Sequence, residues 1–245
     1  MSGKRPKELV LASDTAMVMA AGLGKRMRPL TATQPKPLVR VAGKPLIDYS
    51  LDHLAEAGVA RAVVNVHYLA DALEAHLAMR AAPAITVSDE RALLLETGGG
   101  MVKALPHLPD PFFCLNSDNI WLDGPRDAFR ELSDAWRPHE MDALLLLVSH
   151  KQAHNYAGSG DFHLGPTGLI SRRRPGRIAP FIYTGIQLVS HRLLRDAPEG
   201  AFSTNVFWQR AIEEQRLYGL IHTGEWFEVG DPGAIAPTEA WLSRA

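Results

Sequence analysis

A glycine loop rich in cations follows the first apolar run of this sequence. The run Ala16–Ala20 ends in small residues, and two glycines and three cations then come within seven positions: Gly22, Gly24, Lys25, Arg26 and Arg28. Small residues let the main chain approach a ligand closely and direct its N–H groups towards an anion. The loop therefore predicts a phosphate site, and the density of positive charge favours a nucleoside triphosphate.

The charge pattern around this loop separates it from an ordinary turn. No acidic residue lies between Ala16 and Ile47, whereas a solvated run of charges usually contains both signs. Lys36, in the segment Pro35–Leu38, adds a further cation. The loop lacks the third glycine of the dinucleotide fingerprint, where Met27 stands, and it lacks the Gly-Lys-Ser/Thr of a Walker loop. A tight turn without a ligand is the alternative explanation.

A second glycine segment, Leu95–Met101, contains three consecutive glycines at the expected start of a helix. Each glycine costs about 1 kcal/mol relative to alanine inside a helix. A surface free of side chains, against which a planar base or a sugar lies, would explain that cost. A flexible turn capped by Thr97 explains the pattern equally well.

Two carboxylates stand where they could hold a metal ion beside phosphates. The apolar run Phe112–Asn116 ends abruptly in polar residues that include Asp118, and ligands of open α/β sheets bind beyond the carboxyl ends of the strands. Mg²⁺ is commonly held by one or two carboxylates together with phosphate oxygens. Glu228, in the segment Trp226–Pro232, offers a second carboxylate. Ordinary turns at both places are the alternatives.

Short apolar runs alternate with helical patterns along the chain, which is typical of a parallel sheet with crossover helices. We expect a single α/β domain over residues 1–245, a Rossmann-like three-layer sandwich with a mixed, mostly parallel central sheet. Residues 1–14 are expected to form a flexible N-terminal extension, and residues 150–190 a small antiparallel insertion on the substrate side. The expected strands are Ala16–Ala20, Ala62–Val66, Ile85–Ser88, Phe112–Asn116, Ala143–Ser149, Asp161–Leu164, Gly168–Ser171, Phe181–Val189 and Leu217–His222. The expected helices are Pro45–Ala57, Ala70–Met79, Thr97–Leu105, Arg126–Trp136, Thr204–Gln215 and Ala234–Leu242.

The composition argues against several classes of partner. The 26 basic and 27 acidic residues give a net charge of −1, so no overall field recruits nucleic acid or an anionic membrane. No apolar window suits a signal peptide or a membrane span, and the single cysteine, Cys114, cannot form an internal disulfide. We therefore expect a cytoplasmic monomer or weak homo-oligomer that acts on small molecules, with Cys114 in its core.

His150 and His154 have no third zinc ligand nearby, so the sequence does not predict a zinc site there. The arginines of residues 172–177 are expected to lie on a solvated hairpin or to reach a substrate phosphate.

Together, the loop Ala20–Arg26 and the segment Pro35–Leu38 resemble the opening pattern of the sugar-1-phosphate nucleotidyltransferase family. That pattern is Ala-Ala-Gly-x-Gly-x-Arg followed by Pro-Lys-Pro-Leu, and the resemblance extends from Ala16 to Gly230. Within the family, Leu95–Gly100 is most similar to the short bacterial N-acetylmuramate-1-phosphate uridylyltransferases, which serve peptidoglycan recycling. Other short members of similar sequence resemble mannose-1-phosphate guanylyltransferases.

The resemblance implies transfer of a uridylyl group from UTP to a sugar 1-phosphate, with Mg²⁺ as the cofactor. It implies that Arg26 contacts the β- and γ-phosphates, that Lys36 lies between the α-phosphate and the sugar phosphate, and that Asp118 and Glu228 hold the metal. The implied nucleotide-binding residues are Ala20, Ala21, Gly22, Gly24, Lys25, Arg26, Glu96, Thr97 and Gly98. The implied sugar-binding residues are Asn119, Gly160, Thr184 and Gly185.

Two positions depart from the family's pattern. Ser117 precedes Asp118 where the family usually has glycine, which requires the serine to point away from the ligand. Glu228 stands where the second metal ligand is usually an aspartate, so its carboxylate extends further by one methylene. Transfer of a guanylyl or another nucleotidyl group is the first alternative to uridylyl transfer, and a non-catalytic nucleotide-sugar sensor is the second.

Overall fold

Strands and helices alternate along most of the chain, and the computed structural model describes residues 10–244. In this range the strands are β1 (Thr15–Met19), β2 (Arg40–Val41), β3 (Lys44–Pro45), β4 (Arg61–Val66), β5 (Ala84–Asp89), β6 (Phe112–Asn116), β7 (Asn119–Leu122), β8 (Ala143–Ser149), β9 (Ala153–His154), β10 (Phe162–Leu164), β11 (Ile170–Arg172), β12 (Phe181–Val189), β13 (Leu217–Ile221) and β14 (Glu225–Glu228). The helices are α1 (Leu46–Ala57), α2 (Ala70–Leu77), α3 (Glu96–Ala104), α4 (Ala128–Ala135), α5 (Asn205–Glu213) and α6 (Ile235–Leu242).

The central sheet has the strand order β5-β4-β1-β6-β12-β8-β13. β5, β4, β1 and β6 are parallel, β8 and β13 are parallel to each other, and β12 is antiparallel to both of its neighbours. β10 and β11 extend the sheet beside the first residue of β12. The expected mixed, mostly parallel α/β sheet is therefore confirmed.

Helices cover both faces of this sheet because successive side chains of each strand point to opposite faces. Ala16 and Val18 of β1 belong to the core beneath α1, α2 and α4, whereas Met17 belongs to the core beneath α3 and α5. All three side chains are fully buried. The result is the expected sandwich of three layers, in which β1 is buried on both faces from Thr15 to Val18.

Helix α1 shows how local sequence places a helix against the sheet. Ile47, Leu51 and Leu54 recur on one helical face, and all three are fully buried. Gly58 then ends the helix at φ +94°, where its N–H donates to the carbonyls of Leu54 and Ala55. Glycine adopts this left-handed conformation without the penalty that a Cβ imposes.

The register of β1 and β6 brings their following loops together. Met19, the last residue of β1, pairs with Asn116, the last residue of β6. Because the strands are parallel, the glycine loop and the segment that carries Asp118 leave the sheet side by side. This is the edge at which open α/β sheets bind their ligands.

A second, small sheet of β7, β14 and β9 was not predicted from the sequence. Its strands contain four, four and two residues, which is too short for a recognisable alternating pattern. β14 is antiparallel to β7 and pairs Glu228 with Asn119. The small sheet therefore brings Glu228 next to the Asp118 segment across more than 100 residues of sequence.

Two expectations are corrected by the fold. The sequence assigned Phe181–Val189 to the antiparallel insertion, whereas this strand lies in the central sheet between β6 and β8. Part of the expected flexible extension is also ordered, because Ser13 is buried, the Ala12 N–H donates to Ser133 Oγ and Asp14 pairs with Arg61. The remainder of that extension, residues 1–9, lies outside the described residues.

Cys114 lies in the middle of β6 with its side chain buried, as the apolar run around it predicts. Burial raises the pKa of its thiol to about 12, because the apolar surroundings disfavour the thiolate. None of the helices between residues 10 and 244 has the length and apolar content that a membrane crossing requires.

We expect Cys114 to resist alkylation in the folded protein. Iodoacetamide at pH 8 should leave the thiol unmodified in buffer and modify it fully in denaturant, because only the thiolate reacts and burial suppresses it. Intact mass measured over time in both conditions would test this. Rapid modification under native conditions would show that β6 opens readily to solvent.

Candidate active site

Three neighbouring cavities lie at the edge of the sheet where β1 and β6 end. Cavity A has a volume of about 430 Å³ and is lined chiefly by Met19, Ala20, Ala21, Gly22, Lys36, Asn65, Glu96, Thr97, Asn116, Ser117, Asp118 and Ser203. Cavity B, of about 270 Å³, is lined chiefly by Arg26, Asn116, Asp118, Asn119, Tyr156, Asp161, Tyr183, Gly185, Trp226 and Glu228. Cavity C, of about 220 Å³, is lined chiefly by Met19, Thr97, Cys114, Asn116, Tyr183, Gln187, Ser203, Asn205 and Trp208.

A buried polar pair holds the start of the glycine loop. Asn65 Oδ1 accepts the Ala20 N–H at 2.7 Å, and Asn65 Nδ2 donates to Glu90 Oε1 at 2.8 Å. The second oxygen of Glu90 accepts the Leu95 N–H at 3.1 Å. Asn65 and Glu90 are almost fully buried, so these bonds replace the water that both groups have lost. The pair therefore connects the loop after β1 with the segment that begins α3.

Lys36 and Asp118 form an ion pair at the boundary of Cavities A and B. The Lys36 Nζ lies 2.6 Å from Asp118 Oδ2, and the lysine side chain is only 12% exposed. Ser117 fixes the chain before Asp118, because its N–H and its hydroxyl both donate to the Met19 carbonyl. The Ser117 hydroxyl therefore bonds to the main chain of β1, although Ser117 is also among the residues that line Cavity A. Lys36 faces Cavity A, while Asp118 faces both cavities.

Gly24 permits Lys36 to approach the glycine loop. Its φ is +59°, and a Cβ at this position would lie 2.9 Å from the Cβ of Lys36 and 3.0 Å from Thr31 Cγ2. Glycine is required here for two separate reasons, the left-handed backbone and the closeness of Lys36. Gly22 differs, because a Cβ there would meet no atom within 4 Å.

Three carboxylates line Cavity B, those of Asp118, Asp161 and Glu228. Asp118 follows the end of β6, Glu228 is the last residue of β14, and each of these two side chains is 32% exposed. Arg26 Nη1 lies 3.8 Å from Glu228 Oε1, and its side chain is 70% exposed. No group of three metal-ligating side chains occurs within residues 10–244. The carboxylates of Asp118 and Glu228 nevertheless offer hard oxygen donors to an ion that takes its other ligands from phosphates and water.

The glycines of α3 have a packing role that differs from the expected flat surface for a base. The N–H groups of Gly98 and Gly99 both donate to the Phe202 carbonyl. A Cβ on Gly98 would lie 2.5 Å from the Phe202 ring, and a Cβ on Gly99 would lie 2.4 Å from the Gly200 carbonyl. These residues are glycines because residues 200–202 pack directly on the helix. Gly98 is not among the residues that line Cavity A, whereas Glu96 and Thr97 are.

The four expected sugar-binding residues divide into two groups. Asn119 and Gly185 line Cavity B. Thr184 is 1% exposed, and its hydroxyl donates a hydrogen bond to a main-chain carbonyl of β8. The main-chain carbonyl of Thr184 accepts hydrogen bonds from Asn119 Nδ2 and Trp226 Nε1. Gly160 has φ +77°, and a Cβ there would lie 2.1 Å from a neighbouring carbonyl. Thr184 and Gly160 therefore support the wall of the cavity and do not form its surface. Lys25 and Gly24 also do not line the cavities described above.

Sequence reasoning missed several residues that line the site. Asn116 is the most central of them, because it lines all three cavities from the last position of β6. Asn65 stands within the apolar run Ala62–Val66, and a lone amide in a buried strand is a signal that could have identified it. Asp161 and Tyr183 had no comparable signal, because distant segments bring them to Cavity B.

Comparison with known proteins identifies the family. Residues 16–196 match the MobA-like NTP transferase domain. The chain belongs to this nucleotidyltransferase family. Over 96% of its length it is 45% identical to the N-acetylmuramate alpha-1-phosphate uridylyltransferase of Caulobacter vibrioides, of which it covers 99%. Over 88% of its length it is 36% identical to the same-named enzyme of Neisseria meningitidis, of which it covers 92%.

More distant relatives share the fold of this nucleotidyltransferase. The chain is 28% identical to a mannose-1-phosphate guanylyltransferase catalytic subunit beta of Drosophila pseudoobscura pseudoobscura, over 93% of the chain and 62% of that protein. Among solved structures, the inositol-1-phosphate CTP transferase from T. maritima superposes with a TM-score of 0.76 at 19% identity, covering 95% of this chain and 96% of that one. A UDP-glucose pyrophosphorylase complexed with UDP-glucose superposes with a TM-score of 0.77 at 12% identity, over 95% and 100%. The expected fold and enzyme class are confirmed.

We expect Gly24→Ala to impair both stability and turnover of the nucleotidyltransferase. The left-handed backbone should cost roughly 1–3 kcal/mol of unfolding free energy, and displacement of Lys36 should lower kcat. Gly43→Ala is the matched control, because Gly43 has φ +76° but no atom within 4 Å of its Cβ position. Urea unfolding and steady-state turnover would be measured for both variants. Equal kcat values in the two would contradict the proposed contact with Lys36.

Proposed function

We propose that this nucleotidyltransferase transfers a uridylyl group from UTP to N-acetylmuramic acid 1-phosphate, giving the UDP-sugar and pyrophosphate. Support for the substrates comes from two relatives of that activity, which the chain matches over nearly its whole length. The structural observation that carries the proposal is the Lys36–Asp118 pair, which lies between Cavity A, next to the glycine loop, and Cavity B, which Asp118 and Glu228 line.

In this proposal the triphosphate lies in Cavity A against the main chain of Ala20–Gly22, and the sugar phosphate lies in Cavity B. A phosphate oxygen of the sugar 1-phosphate attacks the α-phosphorus of UTP in line. The new oxygen–phosphorus bond forms as the bond to the β-phosphate oxygen breaks, and pyrophosphate leaves with the electron pair. Such transfer needs positioning and charge stabilisation and requires no protein nucleophile.

Lys36 is the residue placed to hold the two substrates together. Its ammonium group is shielded from water and lies where the two cavities meet, so it can bind the α-phosphate of one substrate and the phosphate of the other. Low exposure strengthens this electrostatic contact relative to the same contact in water. Arg26, which is mostly exposed and only loosely paired with Glu228, can turn to the departing pyrophosphate. Lys25, which precedes Arg26 in the sequence, adds positive charge to the glycine loop.

Asp118 and Glu228 are the residues that would hold Mg²⁺. Their oxygens supply the one or two carboxylates that Mg²⁺ usually takes from a protein, with phosphate oxygens and water completing the shell. When bound, the ion neutralises the negative charge that accumulates on the phosphates during transfer. Glu228 reaches the cavity despite its extra methylene, because the pairing of β14 with β7 sets its backbone opposite Asn119.

A substrate panel tests the proposal. The enzyme would be incubated with Mg²⁺, with each of UTP, CTP, GTP, ATP and dTTP, and with the 1-phosphates of N-acetylmuramic acid, N-acetylglucosamine and mannose. Pyrophosphate release should be fastest with UTP and N-acetylmuramic acid 1-phosphate. Preference for GTP and mannose 1-phosphate would instead favour guanylyl transfer to mannose 1-phosphate, the activity for which the Drosophila relative is named. No pyrophosphate with any pair would favour a nucleotide-sugar sensor.

A further inference from the structure

Cavity C has no part in the transfer of the nucleotidyl group as proposed above. It shares Met19, Thr97, Asn116 and Ser203 with Cavity A, and Asn116 and Tyr183 with Cavity B. Cavity C therefore adjoins both the region assigned to the triphosphate and the region assigned to the sugar phosphate. The residues that line it carry no charge, and they combine an aromatic face, Trp208, with the amides of Gln187 and Asn205. Such a wall does not suit a phosphate group. It suits the neutral and apolar parts of substituents on a sugar ring.

Arg172 is not among the residues that line Cavity C, but it contacts two of them, Asn205 and Trp208. The Arg172 Nη2 donates to Asn205 Oδ1 at 2.9 Å. Its guanidinium lies 6.0 Å from the centre of the Trp208 ring and 5.7 Å from that of Phe162. Both distances are within the range of a cation–π contact, which attracts the guanidinium to the faces of the two rings. Two residues that line the cavity therefore orient Arg172.

The charge of Arg172 lacks a partner within the described part of the chain. No carboxylate between residues 10 and 244 lies at ion-pair distance from it. The negative charge of Asp161 acts on Arg172 from beyond ion-pair distance. Asp161 Oδ2 instead accepts a hydrogen bond from the Tyr183 N–H at 2.9 Å. Burial lowers the pKa of the guanidinium, although the group stays protonated near neutral pH. The guanidinium is half-buried and has no carboxylate partner among the described residues, so it is available to pair with an anionic group of a ligand.

We propose that Cavity C receives the ring substituents of the sugar and that Arg172 binds a carboxylate carried by one of them. This inference rests on the proposed function, because it concerns which sugar 1-phosphate the enzyme selects. N-acetylmuramic acid carries a carboxylate on a lactyl ether, whereas N-acetylglucosamine is the same sugar without that ether. Arginine matches a carboxylate with two parallel hydrogen bonds, so it distinguishes the two sugars by geometry as well as by charge.

Binding of the two nucleotide sugars to Arg172→Gln tests the inference. Isothermal titration calorimetry would measure the affinities of UDP-N-acetylmuramic acid and UDP-N-acetylglucosamine for the wild type and the variant. Loss of a charged hydrogen-bonded contact should weaken binding of the first compound about 10- to 100-fold. Binding of the second compound and the KM for UTP should stay unchanged. Arg172→Lys, which keeps the charge without the paired geometry, should recover part of the loss.

Arg177→Gln is the matched control, because Arg177 lies on the same segment with its side chain exposed. It should leave both affinities unchanged. If Arg172→Gln weakened the binding of both nucleotide sugars equally, Arg172 would only shape the cavity. If it weakened the binding of neither, Arg172 would have no role in sugar selection. Either result would overturn the inference and leave the proposed uridylyl transfer intact. Failure of both compounds to bind the wild type would overturn the proposed function as well.

Discussion

Lys36→Ala should lower kcat by about 10²–10³ while the protein remains folded. The Lys36 ammonium group lies at the boundary of Cavities A and B, where its Nζ is 2.6 Å from Asp118 Oδ2. Removal of a preorganised charge affects the transition state more than the ground state, so kcat should fall more than KM rises. Steady-state release of pyrophosphate at saturating UTP would measure this loss.

Lys44→Ala is the matched control for that experiment. Lys44 is also a lysine paired with an aspartate, since its Nζ lies 2.5 Å from Asp52 Oδ2, but it is not among the residues that line Cavities A, B and C. Its removal should change stability by no more than about 1 kcal/mol, the typical strength of an exposed ion pair, with turnover unchanged. If Lys36→Ala kept wild-type turnover, Lys36 would have no place in the mechanism.

Asp118→Asn should cause the second large effect, a fall in kcat of about 10²–10³ together with a higher requirement for Mg²⁺. The amide keeps the size of the side chain but loses the negative charge that would hold the metal and that neutralises Lys36. Turnover would be measured across a range of Mg²⁺ concentrations. A saturation curve shifted to higher Mg²⁺ is the signature that a merely structural role would not produce.

Asp134→Asn provides the corresponding control, because Asp134 is an exposed aspartate paired with Arg126 on the surface. Its removal should leave both kcat and the Mg²⁺ dependence as they are in the wild type. An Asp118→Asn variant with a reduced kcat but an unaltered Mg²⁺ dependence would assign Asp118 to the positioning of Lys36 and would contradict a metal-binding role.

Much of the site was predictable because its residues follow one another along the chain. The glycine loop, Lys36 and Asp118 stand at the ends of apolar runs or within a run of like charges, and both patterns are visible in the sequence. The glycines of α3 show the limit of such reasoning. The run of glycines suggested a surface for a base or a sugar. In the structure, Phe202 and Gly200, about 100 residues away in sequence, pack so closely against Gly98 and Gly99 that no side chain would fit there.

The sequence by itself determined the α/β class, the strand that precedes Asp118 and the positive loop after β1, because each depends on neighbours within a few positions. Only the tertiary structure decided that β12 joins the central sheet, that β14 delivers Glu228 to Cavity B and that Arg172 stands beside Trp208 and Asn205. The physical reason is that short strands and single side chains are positioned by contacts across the fold. Local patterns do not record which distant segments will supply those contacts.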